Sequence, residues 1–242
     1  MFLVIDIGNT LHKAALFDNK GCQTSIIQQK TLTISDLQTL VGQHNLDAAI
    51  LSAVGAVDDN VINWLESNVK LIRFSSDLHL PIQIQYDSAD TLGTDRIACA
   101  VAANALFPNK NVLAIQAGTC LVTDFVDASN TYHGGSIAPG LRMRFHALHD
   151  YTARLPLLEP EQITSFTGNS TRNSILSGVI HGLACEIDGF IVHYRALYPD
   201  TVAVLTGGDA PTLQDYIKNR IFAAPNLVLR GLYIILRFNV DE

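Results

Sequence analysis

The stretch VIDIGNTLHKAALF, residues 4–17, decides the fold, because it returns as AIQAGTCLVTDF at residues 114–125. Each copy is an apolar run, a polar residue, a Gly two places on, then a Thr and a second apolar run. Asp6 holds the polar position in the first copy and Gln116 in the second. An apolar, β-rich run that meets a tight glycine turn and then another apolar run reads as a β-hairpin. A third strand follows in each half, in CQTSIIQQKTL (22–32) and YHGGSIAP (132–139).

After each meander, helices alternate with strands. SDLQTLVGQH (35–44) reads as a helix with Ser35 as N-cap. DAAILSAV is a strand, VDDNVINWLESN a helix with acids in its first turn, and KLIRFS a strand. TDRIACAVAANALF is a helix with Ile97, Ala100, Val101 and Leu106 on one face. In the second half, PGLRMRFHALHDYTARL is helical, one long helix or two in sequence start near Ser170, and TVAVLTGG is a strand. APTLQDYIKN then predicts a helix, NLVL (226–229) a strand and GLYIILRFN a last helix. The repeated order predicts a duplicated α/β unit, residues 1–107 and 108–242, joined near Pro108.

With 242 residues, 48% hydrophobic and only 16% charged, the chain can bury a sizeable core. Its net charge of -7 argues against a general nucleic-acid binder. The start MFLVIDIG has no signal-peptide pattern, and no run of about 18 apolar residues stands out, so neither secretion nor membrane insertion is expected. Cys22, Cys99, Cys120 and Cys185 form no CxxC and read as reduced core thiols of a cytoplasmic protein. The histidines have no zinc-ligand spacing.

Three glycine turns carry the chemistry. In DIGNT, a carboxylate at a strand end suits Mg²⁺, and the turn amides with the Thr10 hydroxyl suit phosphate oxygens. Lys13 follows on the second strand. QAGT is a second such turn, and two of them facing each other would hold a polyphosphate from both sides. LTGGDA (205–210) is a third: either Gly207 and Gly208 let a ribose or flat ring lie over them, or the stretch is a tight strand-to-helix connection with Asp209 as N-cap. There is neither a P-loop nor a GxGxxG fingerprint.

LGTDRIA (92–98) starts a helix. Asp95 there is either a first-turn acid favoured by the helix dipole or a general base for a substrate hydroxyl. Arg96 suits a carboxylate, or pairs with an acid at the surface. GGSIAPG (134–140) is too rich in glycine for an ordinary strand end and implies close approach of the backbone to something.

Taken in order, DIGNTLHK, LGTDR, AGTCLVTD, GGSIAPGL, TARLP, GNSTRNSILSG, LTGGDA and PNLVLRGL resemble the type III pantothenate kinase family. The motifs run from Asp6 to Gly231. The resemblance implies duplicated ribonuclease-H-like domains of the actin-like ATPase superfamily, with a nucleotide cleft between them. It implies ATP-dependent phosphorylation of the primary hydroxyl of pantothenate, the first step of coenzyme A synthesis. It assigns Asp6, Ile7, Gly8, Asn9, Thr10, Leu11, His12 and Lys13 to the first phosphate loop, with Asp6 near Mg²⁺. Gly118, Thr119, Gly207 and Gly208 would also meet ATP.

Asp95 is implied as catalytic base. Tyr86, Gly93, Thr94, Asp95, Arg96 and Thr171 are implied to line the pantothenate site, Thr171 from across a homodimer interface. Members of the family usually carry Asp where this chain has Gln116, and that Asp helps hold the K⁺ or NH₄⁺ they require. A carboxamide lacks the charge, so weak K⁺ binding or K⁺ independence is expected. The competing readings are a related kinase with another small hydroxyl substrate and a non-catalytic ATP-binding regulatory or transcription accessory protein. Gln116 favours the latter; Asp6 and Asp95 weigh against it.

Overall fold

The computed structural model describes residues 1–55, 57–75 and 78–240. The chain forms two compact units. Met1–Leu106, Asn130–Tyr132 and the chain from Asn226 onward make the first; Phe107–Ser129 and His133–Pro225 make the second.

The first unit is built on β1 (Phe2–Ile7), β2 (His12–Phe17), β3 (Gln23–Gln29), β4 (Ala48–Ala53) and β5 (Leu71–Arg73), in the order β3-β2-β1-β4-β5. β1 runs antiparallel to β2 and parallel to β4. Side chains alternate along a strand. Leu3, Ile5 and Ile7 of β1 therefore join one core cluster with Leu37 and Leu40 of α1 (Ile34–Val41) and Val61 and Leu65 of α2 (Asp59–Asn68). Phe2, Val4 and Asp6 face the other way. A short β6 (Gln83–Ile84) pairs in parallel with residues 131–132, and α3 (Thr94–Leu106) ends this part of the chain.

The second unit repeats the plan with β7 (Val112–Ala117), β8 (Cys120–Val126), β9 (Thr131–Pro139), β10 (Val202–Thr206) and β11 (Phe222–Ala223). Its order is β11-β10-β7-β8-β9, with β7 antiparallel to β8 and parallel to β10. In both sheets the first strand of the meander is central, its hairpin partner lies on one side and the fourth strand on the other. Asp6 and Gln116 are each the fifth residue of that central strand. Leu113 and Ile115 pack on Phe145 of α4 (Leu141–Asp150) and on Ile180, Leu183 and Ile187 of α5 (Thr171–Leu197). A short α6 (Ala210–Leu213) follows β10.

Several expectations are corrected. Residues 226–229 are not a strand. Asn226 is in a turn and 227–229 open α7 (Leu227–Val240), one helix of 14 residues that packs on α3 and crosses β1, β2 and β4 of the first unit. A four-residue apolar run carries no period, so it reads as strand or helix alike. The strand is Phe222–Ala223, a few residues earlier. The close packing of α7 depends on Gly231: a Cβ there would overlap the Ala98 carbonyl oxygen of α3. α3 is buried from Arg96 to Asn104 rather than along one face, because its alanines let neighbours approach on all sides.

The cap of α1 is Thr33, not Ser35. Its hydroxyl accepts from the Asp36 N–H while the Asp36 carboxylate accepts from the Thr33 N–H, a reciprocal box. α6 stops at Leu213, so only the first turn of the helix expected over 210–219 forms. Of the cysteines, Cys99 is buried, whereas Cys22 and Cys185 are exposed.

α5 is long and apolar enough, by length and composition, to cross a membrane, with a window of mean hydropathy 1.6. Interspersed Gly, Ser and His hide that average from a search for a continuous run. Half of the window is buried in the protein, and its Ile175, Val179, Leu183 and Ile191 belong to the core of the second unit.

Candidate active site

In the first unit, register brings the site together. Asp6 lies opposite Lys13 on β2 and opposite Ser52 on β4. Directly paired residues share a face of the sheet, so all three side chains share the face away from α1 and α2. Ser52 is fully buried, and its hydroxyl hydrogen-bonds that of Thr94, at 2.8 Å, at the start of α3. That bond anchors the LGTDR turn to the end of β4, beside Asp6 on β1. Ser52 lies in none of the glycine motifs; its one signal in the sequence is a lone hydroxyl at the end of the apolar run AAILS.

Burial pushes the Asp6 carboxyl up to about 6, the negative charge of Asp95 adds to the rise, and Lys13 opposes it. The two carboxylates are therefore electrostatic neighbours. A cation between carboxylate and phosphate would relieve a buried, strained charge of this kind, so Asp6 fits Mg²⁺ held with phosphate oxygens. The Asp95 carboxylate folds back over Gly93, where a Cβ would lie 2.6 Å from Oδ1. Arg96 is buried, with its guanidinium 5.7 Å from the centre of the Tyr86 ring, and Tyr86 in turn packs near Tyr132. It is not the surface residue that an exposed Asp-Arg pair would need.

The Gly8–Leu11 turn closes with the Gly8 N–H donating to the Leu11 carbonyl, and Asn9 and Thr10 are exposed at its tip. Ile7 is buried beneath it. His12 has one ring nitrogen committed to the fold, since Nδ1 accepts from the Leu32 N–H at 3.2 Å.

The second unit carries the other turns. Gln116 lies opposite Thr206, at the ends of the parallel strands β7 and β10. Its Nε2 is buried and has no hydrogen-bond partner among the described residues. Gly118 closes the next turn by donating to the Cys120 carbonyl, and the Thr119 carbonyl accepts from the Gly140 N–H. Gly207 has φ +101°, and a Cβ there would overlap the Ala117 carbonyl oxygen. Thr171 is the exposed first residue of α5, after the N-cap Ser170.

The close approach expected around GGSIAPG is made to the chain itself. A Cβ on Gly135 would overlap the Thr123 backbone, and one on Gly140 would overlap the carbonyl oxygens of Gly118 and Thr119. These glycines seat β9 and the start of α4 against β8 and its turn.

The fold defines the class first. Over 96% of this chain and 97% of the other, the protein superposes with TM-score 0.55 and 12% identity on a ROK family glucokinase from Streptomyces griseus, solved with glucose and AMPPNP. With the same TM-score and 13% identity it matches the activator of 2-hydroxyisocaproyl-CoA dehydratase from Clostridium difficile, solved with ADPNP, over 99% and 94%. The fold is that of the actin-like ATPases and sugar kinases.

The family is narrower. A type III pantothenate kinase family model matches residues 2–193. Proteins named type III pantothenate kinase are 38% identical in Flavobacterium johnsoniae and 40% in Christiangramia forsetii, each over all of both chains. Another, from Phocaeicola vulgatus, is 39% identical over 99% of each. The chain belongs to the type III pantothenate kinase family.

Proposed function

We propose that this protein is a pantothenate kinase that transfers the γ-phosphoryl group of ATP to the primary hydroxyl of pantothenate, opening coenzyme A synthesis. Beside the family membership, one arrangement carries the reading: the Ser52–Thr94 hydrogen bond ties the turn that bears Asp95 to the strand beside Asp6, and the Asp95 charge adds to the rise of the buried Asp6 carboxyl. A phosphoryl-transfer site needs one carboxylate for the phosphate-bound cation and one for the substrate proton.

In this reading Asp6 holds Mg²⁺ together with phosphate oxygens, and the ion supplies neutralisation of charge on the transferred group when bound. The turn amides from Ile7 to Leu11, the Thr10 hydroxyl and Lys13 orient the phosphates. Gly118, Thr119, Gly207 and Gly208 meet the same nucleotide. Asp95 accepts the proton of the pantothenate hydroxyl as the new P–O bond forms. Arg96, packed on Tyr86, holds the pantothenate carboxylate, and Gly93 and Thr94 complete the pocket.

Gln116 stands where the family usually carries its cation-binding Asp, and it is neutral. Its buried Nε2 has no hydrogen-bond partner among the described residues, and a buried donor left unpaired costs about 1–3 kcal/mol. A nucleotide oxygen satisfies it in place of a cation, so this kinase works without tight K⁺ binding. A cytoplasmic homodimer, with Thr171 reaching the partner's pantothenate, belongs to the same reading. Support comes from the exposed face of α5, where Gly178, Gly182 and Gly189 have open space at the Cβ position.

The test is Asp95→Asn. It is expected to abolish turnover, by about 100-fold or more, while ATP binding measured by titration calorimetry stays at the wild-type level. An active variant removes Asp95 from its role.

A further inference from the structure

Asp209 stands directly after Gly207-Gly208, at the end of β10, in the position of an N-cap for α6. It does not act as one. Its backbone is helical, with φ -91° and ψ -4°, and its side chain makes no capping hydrogen bond. Pro211 occupies the second position of α6 and has no N–H to offer. Among the described residues nothing else donates to this carboxylate either.

The carboxylate is nonetheless partly buried. Burial pushes its pKa above the ordinary carboxylate value, and the Arg142 charge opposes that. A carboxylate that is partly desolvated and accepts no hydrogen bond is a cost that the Arg142 charge only partly offsets.

Its surroundings explain what it awaits. Its own N–H is fixed, donating to the Ala117 carbonyl at 3.0 Å, so the residue is tied to the end of the central strand. The φ of Gly207 and its contact with Ala117 require glycine. Those of Gly208 do not: its φ is ordinary, and nothing lies within 4 Å of where a Cβ would stand. The same holds for Gly118, in the turn after the neighbouring strand. Glycines that neither backbone nor packing requires leave room for a bound molecule. They stand at the C-terminal ends of two parallel strands, where open α/β sheets bind ligands.

We propose that Asp209 accepts hydrogen bonds from the ribose hydroxyls of the nucleotide lying over Gly207-Gly208, making it the residue that selects a ribonucleotide donor. An ionised carboxylate has acceptor sites for both hydroxyls of a vicinal diol. This inference rests on the kinase reading above and assigns to Asp209 a contact beyond it.

The test compares ATP with its dideoxy analogue, which lacks both ribose hydroxyls, in phosphorylation of pantothenate by the full chain. KM and kcat are resolved for wild type and for Asp209→Ala. Wild type is expected to lose about 10-fold or more in kcat/KM on removal of the hydroxyls, mostly through KM. Asp209→Ala is expected to lose a similar factor with ATP and little more with the analogue.

A wild type indifferent to the hydroxyls overturns the proposal without any variant. A folded Asp209→Ala that keeps the full wild-type penalty also overturns it. If Asp209→Ala fails to fold, Asp209→Leu, which has no acceptor either, is read in the same way: a reduced penalty supports the contact and a full one refutes it. Absence of turnover with either nucleotide would strike the kinase reading itself. Titration calorimetry of the two nucleotides then decides the Asp209 contact by binding alone.

Discussion

Asp6 carries the sharpest electrostatic tension in the first unit. Its carboxyl is raised from 3.8 to about 6 in the fold, first by burial and then by Asp95. The native state thus holds this proton more tightly than the unfolded chain does. The contribution to stability is complete below the unfolded pKa and is lost as pH rises through about 6. At about pH 8 the ligand-free protein carries the charge at a cost of at most about 3 kcal/mol.

Asp6→Asn is therefore expected to raise the Tm of the ligand-free protein at about pH 8 by several degrees, with the gap closing towards about pH 4. Calorimetric scans at the two pH values check it; an unchanged or lowered Tm at the higher pH contradicts it. The same variant should lose Mg²⁺-dependent turnover, a trade of activity for stability. Gln116 makes a second prediction at this scale. Rates in K⁺ buffer and in a buffer of a bulky organic cation should agree within about 2-fold; strong K⁺ activation contradicts the role given to its amide.

At the scale of elements, the sheets were legible because their strands are short apolar runs punctuated by glycine turns. The helix caps and α7 were less so. Thr33 caps α1 because Asp36 completes the box three residues on, a pairing that outranks a lone Ser35. NLVL became helix because α7 as a whole packs against α3, a tertiary demand that four residues do not reveal. The glycines of GGSIAPG do mark close approach, and the partner is the chain's own backbone.

The contact of α7 with α3 gives the test at this scale. Gly231→Val drives a side chain into the Ala98 carbonyl and is expected to cost about 2 kcal/mol or more, seen as a lower urea midpoint. A midpoint equal to that of wild type would mean that the two helices do not pack as closely as described.

For the whole molecule, the repeated hairpin made the duplication legible, and the two sheets share one strand order down to the placing of Asp6 and Gln116. The return of the chain after Asn226 to the first unit was hidden, since the sequence marks no second crossing. The residues assigned to the site from Asp6 to Lys13 and from Gly93 to Arg96 lie in contiguous motifs, which is why the sequence alone suggests them. The pairing of Ser52 with Asp6 and the missing cap at Asp209 are not legible there, because they come from strand register and backbone geometry.

Pantothenate-dependent release of ADP probes the function most directly. With ATP and Mg²⁺ present, ADP is expected to form at a rate that rises with pantothenate and saturates, while the protein alone releases almost none. ATP binding without any response to pantothenate would contradict the kinase assignment and favour a non-catalytic nucleotide-binding role.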